Sequence, residues 1–237
     1  MKIQIQKSKE RGTCDYGWLL AKYSFSFADY YNQKKMQFGA LRVLNEDSIA
    51  GGRGFGMHGH DHMEIITVIL EGALQHSDSM GKRSVLEAGD VQRISAGEGI
   101  MHAEYNPSET KKTHGLQIWI EPKDSGIKPS YEHRRFSAVE RKNRLQLLVS
   151  GNKEDKAVYM HQDAYILRGF LDEGKSAAYK LRDKKHGLYV FLIKGGIRIG
   201  NTKLQKGDAA GITDAASVKI TAEKDADVLL IEVPMRK

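Results

Sequence analysis

Apolar and polar residues alternate in short segments along the chain, and this period of two is typical of β-strands. Examples are KIQIQ (2–6), MEIITVIL (63–70), HGLQIWI (114–120) and ADVLLIEV (226–233). Turn sequences such as AGD at 88–90 and KGD at 206–208 separate the segments, and helical periodicity is nearly absent. The sequence therefore predicts an all-β protein built from barrels or sandwiches.

A weak internal repeat indicates two similar β units. Residues 68–94 read as strand, glycine, strand, polar turn, Gly-Asp step and strand, and residues 190–212 repeat this order in shorter form. The steps Gly89-Asp90 and Gly207-Asp208 occupy the same place in each unit. We therefore expect them to form equivalent turns.

A proline-containing, charged segment, EPKDSGIKPSYEH at 121–133, is the candidate linker between the units. The full length of 237 residues suits two domains of ordinary size. We predict an N-terminal barrel over residues 1–131 and a C-terminal barrel over residues 132–237.

Composition excludes several classes of protein. Hydrophobic residues make up 40% of the chain and charged residues 28%, close to the average for soluble globular proteins. No apolar run approaches the ~18 residues of a membrane-spanning helix, and the N-terminus has no signal-peptide pattern, so we expect a cytoplasmic protein without a membrane partner. Because Cys14 is the only cysteine, any metal must be held by nitrogen and oxygen ligands.

The net charge of +7 raises the possibility of nucleic-acid binding. The basic clusters are short, interspersed with acidic residues along the chain and not next to aromatic stacking motifs; they are HRRF (133–136), ERKNR (140–144) and RDKKH (182–186). We therefore expect a solvated basic surface, with nucleic acid an unlikely partner.

The segment GMHGHDHMEI, residues 56–65, carries a potential ligand at every second position: His58, His60, His62 and Glu64. In a regular strand, residues two apart share a face, so these four side chains would project to one side. On a barrel wall that side can be the interior, where adjacent imidazoles converge on a metal ion.

A second segment, GIMHAEYN at 99–106, repeats this spacing with His102 and Glu104. Together the two segments can supply three histidines and one carboxylate. Such a set suits Fe(II), Mn(II), Co(II), Ni(II), Cu(II) or Zn(II) and leaves positions open for water or substrate. Spacing alone does not decide which glutamate is the ligand.

Four segments of the sequence, taken together, resemble those of a known family. They are FSFADYY (25–31), HGHDHMEIITVILEGALQHSDSMG (58–81), AGDVQRISAGEGIMHAEYNPS (88–108) and LQIWIEP (116–122). The sequence here resembles the pirin family, and within it the bacterial pirin-like quercetin 2,3-dioxygenases. The resemblance is strong over residues 17–135. It implies a bicupin, two antiparallel jelly-roll (double-stranded β-helix) cupin barrels in tandem, with a degenerate, metal-free second barrel.

The pirin pattern also implies a ligand set for one divalent transition metal, with Fe(II) as the first expectation. The ligands would be His58, His60, His102 and Glu104, and Glu104 would also act as the catalytic base.

The same pattern leaves supporting roles for three neighbours. Glu64 becomes a candidate hydrogen-bond acceptor for a ligand imidazole. His62 stands where pirin usually has glycine, so it could line the pocket, point elsewhere through a bulge or be an interior histidine. Phe55 is expected beside the pocket.

The remaining histidines are isolated in the sequence, and we expect surface or hydrogen-bonded core roles for them. They are His76, His114, His133, His161 and His186.

The resemblance implies an activity: metal-dependent cleavage of the heterocycle of a flavonol such as quercetin by dioxygen, with release of carbon monoxide. Two alternatives stay open. One is a non-enzymatic, iron-dependent transcriptional cofactor or redox-sensing regulator with a protein partner. The other is a metal enzyme acting on a different enolic or phenolic substrate.

Overall fold

The computed structural model describes residues 1–235 and confirms an all-β chain. Twenty strands form three sheets of nine, four and seven strands, accompanied by two short 3-10 helices at Ser8–Glu10 and Ala138–Arg141. Among these residues, no helix is long and apolar enough to cross a membrane.

Two sheets build the N-terminal unit. Their strands are β2 (Gly12–Asp15), β3 (Leu19–Tyr23), β4 (Leu41–Ile49), β5 (Gly54–His60), β6 (Glu64–Glu71), β7 (Ala73–Asp78), β8 (Arg83–Glu87), β9 (Asp90–Ser95), β10 (Ile100–Tyr105), β11 (Thr113–Ile120) and β12 (Ser130–Arg135). The seven-stranded sheet has the order β12-β9-β6-β11-β4-β3-β2, and the four-stranded sheet the order β5-β10-β7-β8. Every strand pair in both sheets is antiparallel.

The third sheet forms the C-terminal unit. Its strands are β1 (Lys2–Gln6), β13 (Leu145–Ser150), β14 (Val158–Tyr159), β15 (Tyr165–Leu171), β16 (Ser176–Lys180), β17 (His186–Ile199), β18 (Thr202–Gln205), β19 (Ala209–Thr213) and β20 (Ser217–Pro234). The main path is β1-β19-β17-β20-β15-β13-β14, while β16 and β18 pair with the ends of the long strands β20 and β17. Register shifts interrupt the β17–β20 pairing at three points.

The predicted Gly-Asp turns are equivalent in the two units. Gly89 and Gly207 both have positive φ, 96° and 80°, a conformation that glycine adopts without a steric penalty. The next residue then turns its carboxylate back on the hairpin: Asp90 accepts from the backbone N–H of Glu87 at 2.8 Å, and Asp208 from that of Gln205 at 3.0 Å. The internal repeat therefore reflects one turn used twice.

The first strand of the chain belongs to the sheet of the C-terminal unit. Strand β1 at the N-terminus pairs with β19 of the C-terminal sheet, whereas β12 pairs with β9 of the N-terminal unit. The division at residue 131 thus falls inside β12, and it stays a prediction. Because residues 2–6 lie in the C-terminal sheet, a single cut of the sequence does not separate the two units.

The largest apolar cluster lies between the units rather than inside either one. The seven-stranded sheet contributes residues such as Leu41, Ile66 and Leu116, and the nine-stranded sheet contributes Phe191 and Leu229, all at most 1% exposed. A second cluster fills the C-terminal barrel, and two smaller clusters occupy the N-terminal barrel. The N-terminal interior consequently has room for polar groups.

Because the barrels share this cluster, we expect them to unfold together. Phe191→Ala should destabilise the protein by about 3–5 kcal/mol, the usual loss for a fully buried phenylalanine. Urea denaturation followed by fluorescence and by circular dichroism should give a single coincident transition in both proteins. Two separated transitions in the wild type would contradict the shared core.

Candidate metal centre

Strands β5 and β10 bring three histidines together in the N-terminal barrel. The antiparallel register sets His102 opposite His58 and Ile100 opposite His60. Ring centroids lie 4.3 Å apart for His58 and His102, 4.8 Å for His58 and His60, and 4.9 Å for His60 and His102. One ring nitrogen from each lies within 4.8 Å of the others.

A backbone hydrogen bond orients one imidazole of the cluster, and the pKa values of the other two are lowered. His58 Nδ1 donates to the Gly56 carbonyl at 2.7 Å, which leaves its Nε2 as an electron-pair donor. Burial and the neighbouring imidazoles lower the pKa of His102 to about 3. Burial and His58 lower that of His60 to about 4. These two rings are therefore neutral at physiological pH.

His102 is the most telling member of the cluster, because it is 1% exposed and neither ring nitrogen has a hydrogen-bond partner. Buried polar atoms are normally paired, since an unpaired one costs about 1–3 kcal/mol. A metal ion would satisfy one of these nitrogens. The donor set of neutral imidazoles with a nearby carboxylate fits a divalent transition metal.

Glu104 is held in a fixed position beside His102. It is 2% exposed; its Oε1 accepts from Gln92 Nε2 at 2.9 Å and its Oε2 from Gln117 Nε2 at 3.2 Å. Burial raises the pKa of Glu104, although the two amide hydrogen bonds act in the opposite direction. A register shift after His102 changes the strand pairing between the two side chains.

His76, expected to be a surface or hydrogen-bonded core histidine, is a hydrogen-bonded core residue that also lies beside the cluster. It is fully buried, and it forms a second potential metal cluster with His102 and Glu104, whose ligand atoms also lie within 4.8 Å of one another. Its Nε2 pairs with Asp78 Oδ2 at 2.9 Å, while Nδ1 has no partner. Tyr131 stacks on the ring at 4.7 Å. In the segment QHSD (75–78) the side chains of His76 and Asp78 both face inward. This alternation was the sequence feature that could have placed His76 in the barrel interior.

The alternation that runs through His62 and Glu64 is broken by a corner. Strand β5 ends at His60, and His62 takes a left-handed conformation with φ of 45° before β6 begins in the other sheet. The His62 side chain is exposed, and its Nδ1 lies 3.4 Å from Asp61 Oδ1. It therefore does not line the cavity.

Glu64 faces the junction between the barrels, which corrects its expected role beside a ligand imidazole. It is 1% exposed and accepts from Ser95 Oγ at 2.9 Å, with Arg93 on the same side. Arg93 itself reaches the C-terminal unit by donating to the Tyr159 carbonyl at 2.7 Å. Burial raises the pKa of Glu64 to about 7.

The histidine cluster opens into a cavity of about 250 Å³. Its walls are mainly apolar and aromatic, and they include Tyr16, Tyr23, Phe27, Phe55 and Trp119, together with the polar residues Asn45, Asp47, Glu104 and Gln117. Phe55 packs edge-on against Trp18 at 5.3 Å. Trp119 packs edge-on against His60 at 4.9 Å.

These features define a class: a two-barrel β protein with a metal-type histidine cluster at the base of an aromatic pocket in one barrel. Two family models match the chain, Pirin over residues 4–120 and the quercetinase C-terminal cupin domain over residues 147–233.

Relatives align over nearly the whole chain. A quercetin 2,3-dioxygenase of Escherichia coli is 41% identical over 232 residues, which cover 98% of this chain and 99% of the relative. A pirin-like protein of Caulobacter vibrioides is 42% identical and covers 93% and 95%. The crystal structure of the bacterial pirin YhhW from E. coli in complex with nickel(II) superposes with a TM-score of 0.93 at 39% identity, covering 99% and 100%.

The chain belongs to the pirin family, and the predicted bicupin fold is confirmed.

The position of Glu64 generates a stability prediction. Its pKa is near 4.5 in the unfolded chain and about 7 in the folded one, so the folded state binds more protons between these values and stability falls as pH rises through this window. In Glu64→Gln this fall in stability with rising pH is absent, and the amide oxygen can still accept the hydrogen bond from Ser95. Urea titrations should show the variant gaining about 1–3 kcal/mol on the wild type between pH 4.5 and 7.

Metal content is the matched readout for the same variant, and it should equal that of the wild type. Loss of metal from the Glu64→Gln protein would instead show that Glu64 is part of the metal site.

Proposed function

We propose that this protein is a metal-dependent dioxygenase that opens the heterocycle of a flavonol such as quercetin and releases carbon monoxide. The observation that carries the proposal is the buried His102 ring, with unpartnered nitrogens, at the base of an aromatic cavity. The names of close relatives as quercetin 2,3-dioxygenases support the same substrate class.

The metal in this proposal is held by His58, His60, His102 and Glu104, with Fe(II) as the first candidate. When bound, a divalent cation supplies Lewis acidity that lowers the pKa of a substrate hydroxyl and gives access to dioxygen chemistry. The nickel(II) complex of the E. coli pirin supports metal binding in this family without fixing which metal serves here.

Glu104 is the group that takes the proton of the flavonol 3-hydroxyl. Hydrogen bonds from Gln92 and Gln117 fix its carboxylate and still leave a lone pair free on each oxygen. Burial raises the pKa of Glu104, which strengthens it as a base. The resulting flavonolate is the electron-rich species that reacts with dioxygen.

The cavity walls position the flat rings of the substrate. Phe27 packs edge-on against Trp119 at 5.2 Å, and Trp119 in turn contacts His60, so an aromatic surface leads directly to the metal ligands. Aromatic walls contact a planar ligand over a large area and exclude water from the reacting carbons. Flavonol and dioxygen are therefore the proposed small-molecule partners.

A regulatory function is the second candidate, because the outer side of the β5–β10 sheet is apolar. Met57, Met101 and Tyr105 are 57%, 44% and 43% exposed there, on the face opposite the metal ligands. Exposed apolar patches of this kind mark protein contacts. A protein that binds iron but consumes no dioxygen with any flavonol would favour this function over the dioxygenase.

The metal assignment predicts a large effect at His60. His60→Ala removes one of three clustered imidazoles and should lower bound metal on the order of 10-fold or more under limiting Fe(II). Elemental analysis of anaerobically purified protein measures this. His161→Ala, a half-buried histidine of the C-terminal unit, is the control and should keep wild-type metal; equal losses in both variants would contradict the site.

The base assignment predicts an inactive variant at Glu104. Glu104→Gln keeps the shape of the side chain but is a poor ligand and cannot accept the hydroxyl proton, so oxygen uptake and carbon monoxide release with quercetin should fall by a factor of roughly 100 or more. The assay uses saturating Fe(II), with metal content measured alongside. Full turnover by the variant would exclude Glu104 as the base.

A further inference from the structure

Two side chains on strand β4 face the cavity without being needed for the metal. Asn45 and Asp47 line it, and Asp47 also borders the cleft between the barrels, which Glu46 and Ser48 line from the other face of the strand. Asn45 pairs in register with Tyr23 and Gln117, which also line the cavity. Strand alternation therefore places both polar groups in the pocket.

Both groups are hydrogen-bond acceptors that the described chain leaves unpaired. Asn45 is 2% exposed and its Oδ1 has no hydrogen-bond partner. The half-buried Asp47 carboxylate has no hydrogen bond or ion pair with any of residues 1–235. Glu46, next to it on the opposite face, is fully paired: Arg11 donates to Oε2 at 2.7 Å and His114 contacts Oε1 at 3.2 Å.

The surroundings of Asp47 leave space for a ligand. Its neighbours on the adjacent strands are Ala21 on β3 and Gly115 on β11, the smallest side chains available. Burial raises the pKa of Asp47 to about 7, and the Glu104 carboxylate in the same cavity adds to this increase. A hydrogen bond donated by a ligand would therefore stabilise the unpaired Asp47 carboxylate.

Residues 45 and 47 are two apart on one strand, about 7 Å along its axis, so their side chains can reach neighbouring substituents of one ring. The aromatic walls favour a planar ligand, and the two acceptors require donors on it. Phenolic hydroxyls meet both conditions. An ammonium-bearing ligand is less suited, because only one of the two groups carries charge.

We propose that Asn45 and Asp47 form an acceptor subsite for ring hydroxyls of a polyhydroxylated aromatic substrate, separate from the hydroxyl that Glu104 deprotonates. This inference rests on the proposed function and adds substrate selection to it. A site built to accept from a hydroxyl discriminates strongly against an analogue that lacks it, because its buried acceptors are then left unpaired.

Binding is measured without turnover, using protein loaded with redox-inert Zn(II) and three ligands. These are 3-hydroxyflavone, which has no other hydroxyl; 3,5,7-trihydroxyflavone, hydroxylated on the fused ring; and quercetin, hydroxylated on both rings. The variants are Asp47→Asn and Asn45→Leu, and the matched control is Ser48→Ala on the opposite face of β4.

Asp47→Asn keeps an acceptor oxygen but loses the charge, so it should weaken binding of the hydroxylated ligands about 10-fold, the difference between hydrogen bonds to charged and to neutral acceptors, and leave 3-hydroxyflavone nearly unchanged. Asn45→Leu should show the same selectivity with a smaller loss, and Ser48→Ala no change. A loss already seen with the trihydroxyflavone identifies the fused ring as the one bound, and a loss confined to quercetin identifies the other ring. Equal losses for all three ligands, or no loss for any, would overturn the subsite.

Thermal stability separates this role from a structural one. Replacing an unpaired carboxylate should keep or raise the melting temperature of Asp47→Asn, so weaker binding would accompany unchanged or higher stability. Reduced stability with loss of all ligands would show that Asp47 supports the fold instead. If Asp47→Asn does not fold, that result also counts against the subsite, and Asn45→Leu repeats the comparison.

Turnover is scored separately with Fe(II)-loaded protein and oxygen uptake. Selective binding without oxygen consumption would overturn the dioxygenase function and leave the subsite intact. If Asp47→Asn instead reduced the turnover of 3-hydroxyflavone and of quercetin equally, the dioxygenase function would stand and the subsite would be overturned. A wild-type protein that binds none of the three ligands would contradict both.

Discussion

The apolar contact between the seven-stranded and nine-stranded sheets is the interaction on which the rest of this molecule depends. Its members come from both barrels and are almost completely buried. Burial of this kind is the main source of stability in a β protein. Because it lies outside the N-terminal barrel, that barrel can keep polar groups in its interior without relying on them for folding.

The contrast between the two interiors follows from this arrangement. The C-terminal barrel is filled by aliphatic side chains such as Leu188, Val190 and Leu192. The N-terminal interior holds His76, Gln92, His102 and Glu104, all almost fully buried. Replacing hydrophobic residues by these groups lowers stability, so their retention in one barrel is a cost tied to function.

Sequence reasoning located the histidines because their signal is local. His58, His60 and His102 each belong to a regular strand, and a period of two defines the direction of their side chains. The same rule failed at His62 and Glu64, since a single left-handed residue at a corner ends one strand and moves the next into another sheet. The identity of the residue as histidine does not predict that the chain turns there.

The supporting residues were missed for a different reason. Gln92 and Gln117 bond to Glu104 from β9 and β11, and Asp47 lies on β4, so their meeting depends on strand register across the barrel. Register is a long-range property that one sequence does not reveal. The repeat of Gly-Asp turns could be predicted because each turn is built within a few residues.

Hydrogen-bond satisfaction distinguishes a structural polar cluster from a functional one here. In the C-terminal unit, buried Glu232 accepts from the Tyr179 hydroxyl at 2.6 Å and from the backbone N–H of Arg182 at 2.9 Å, and His186 Nδ1 lies 2.9 Å from its Oε1. His186 and Glu232 are the same residue types that bind metals, yet this cluster is internally complete. His102 and Asn45, equally buried, have unpaired atoms that point to a ligand. Burial alone does not separate the two clusters; the unpaired atoms of His102 and Asn45 do.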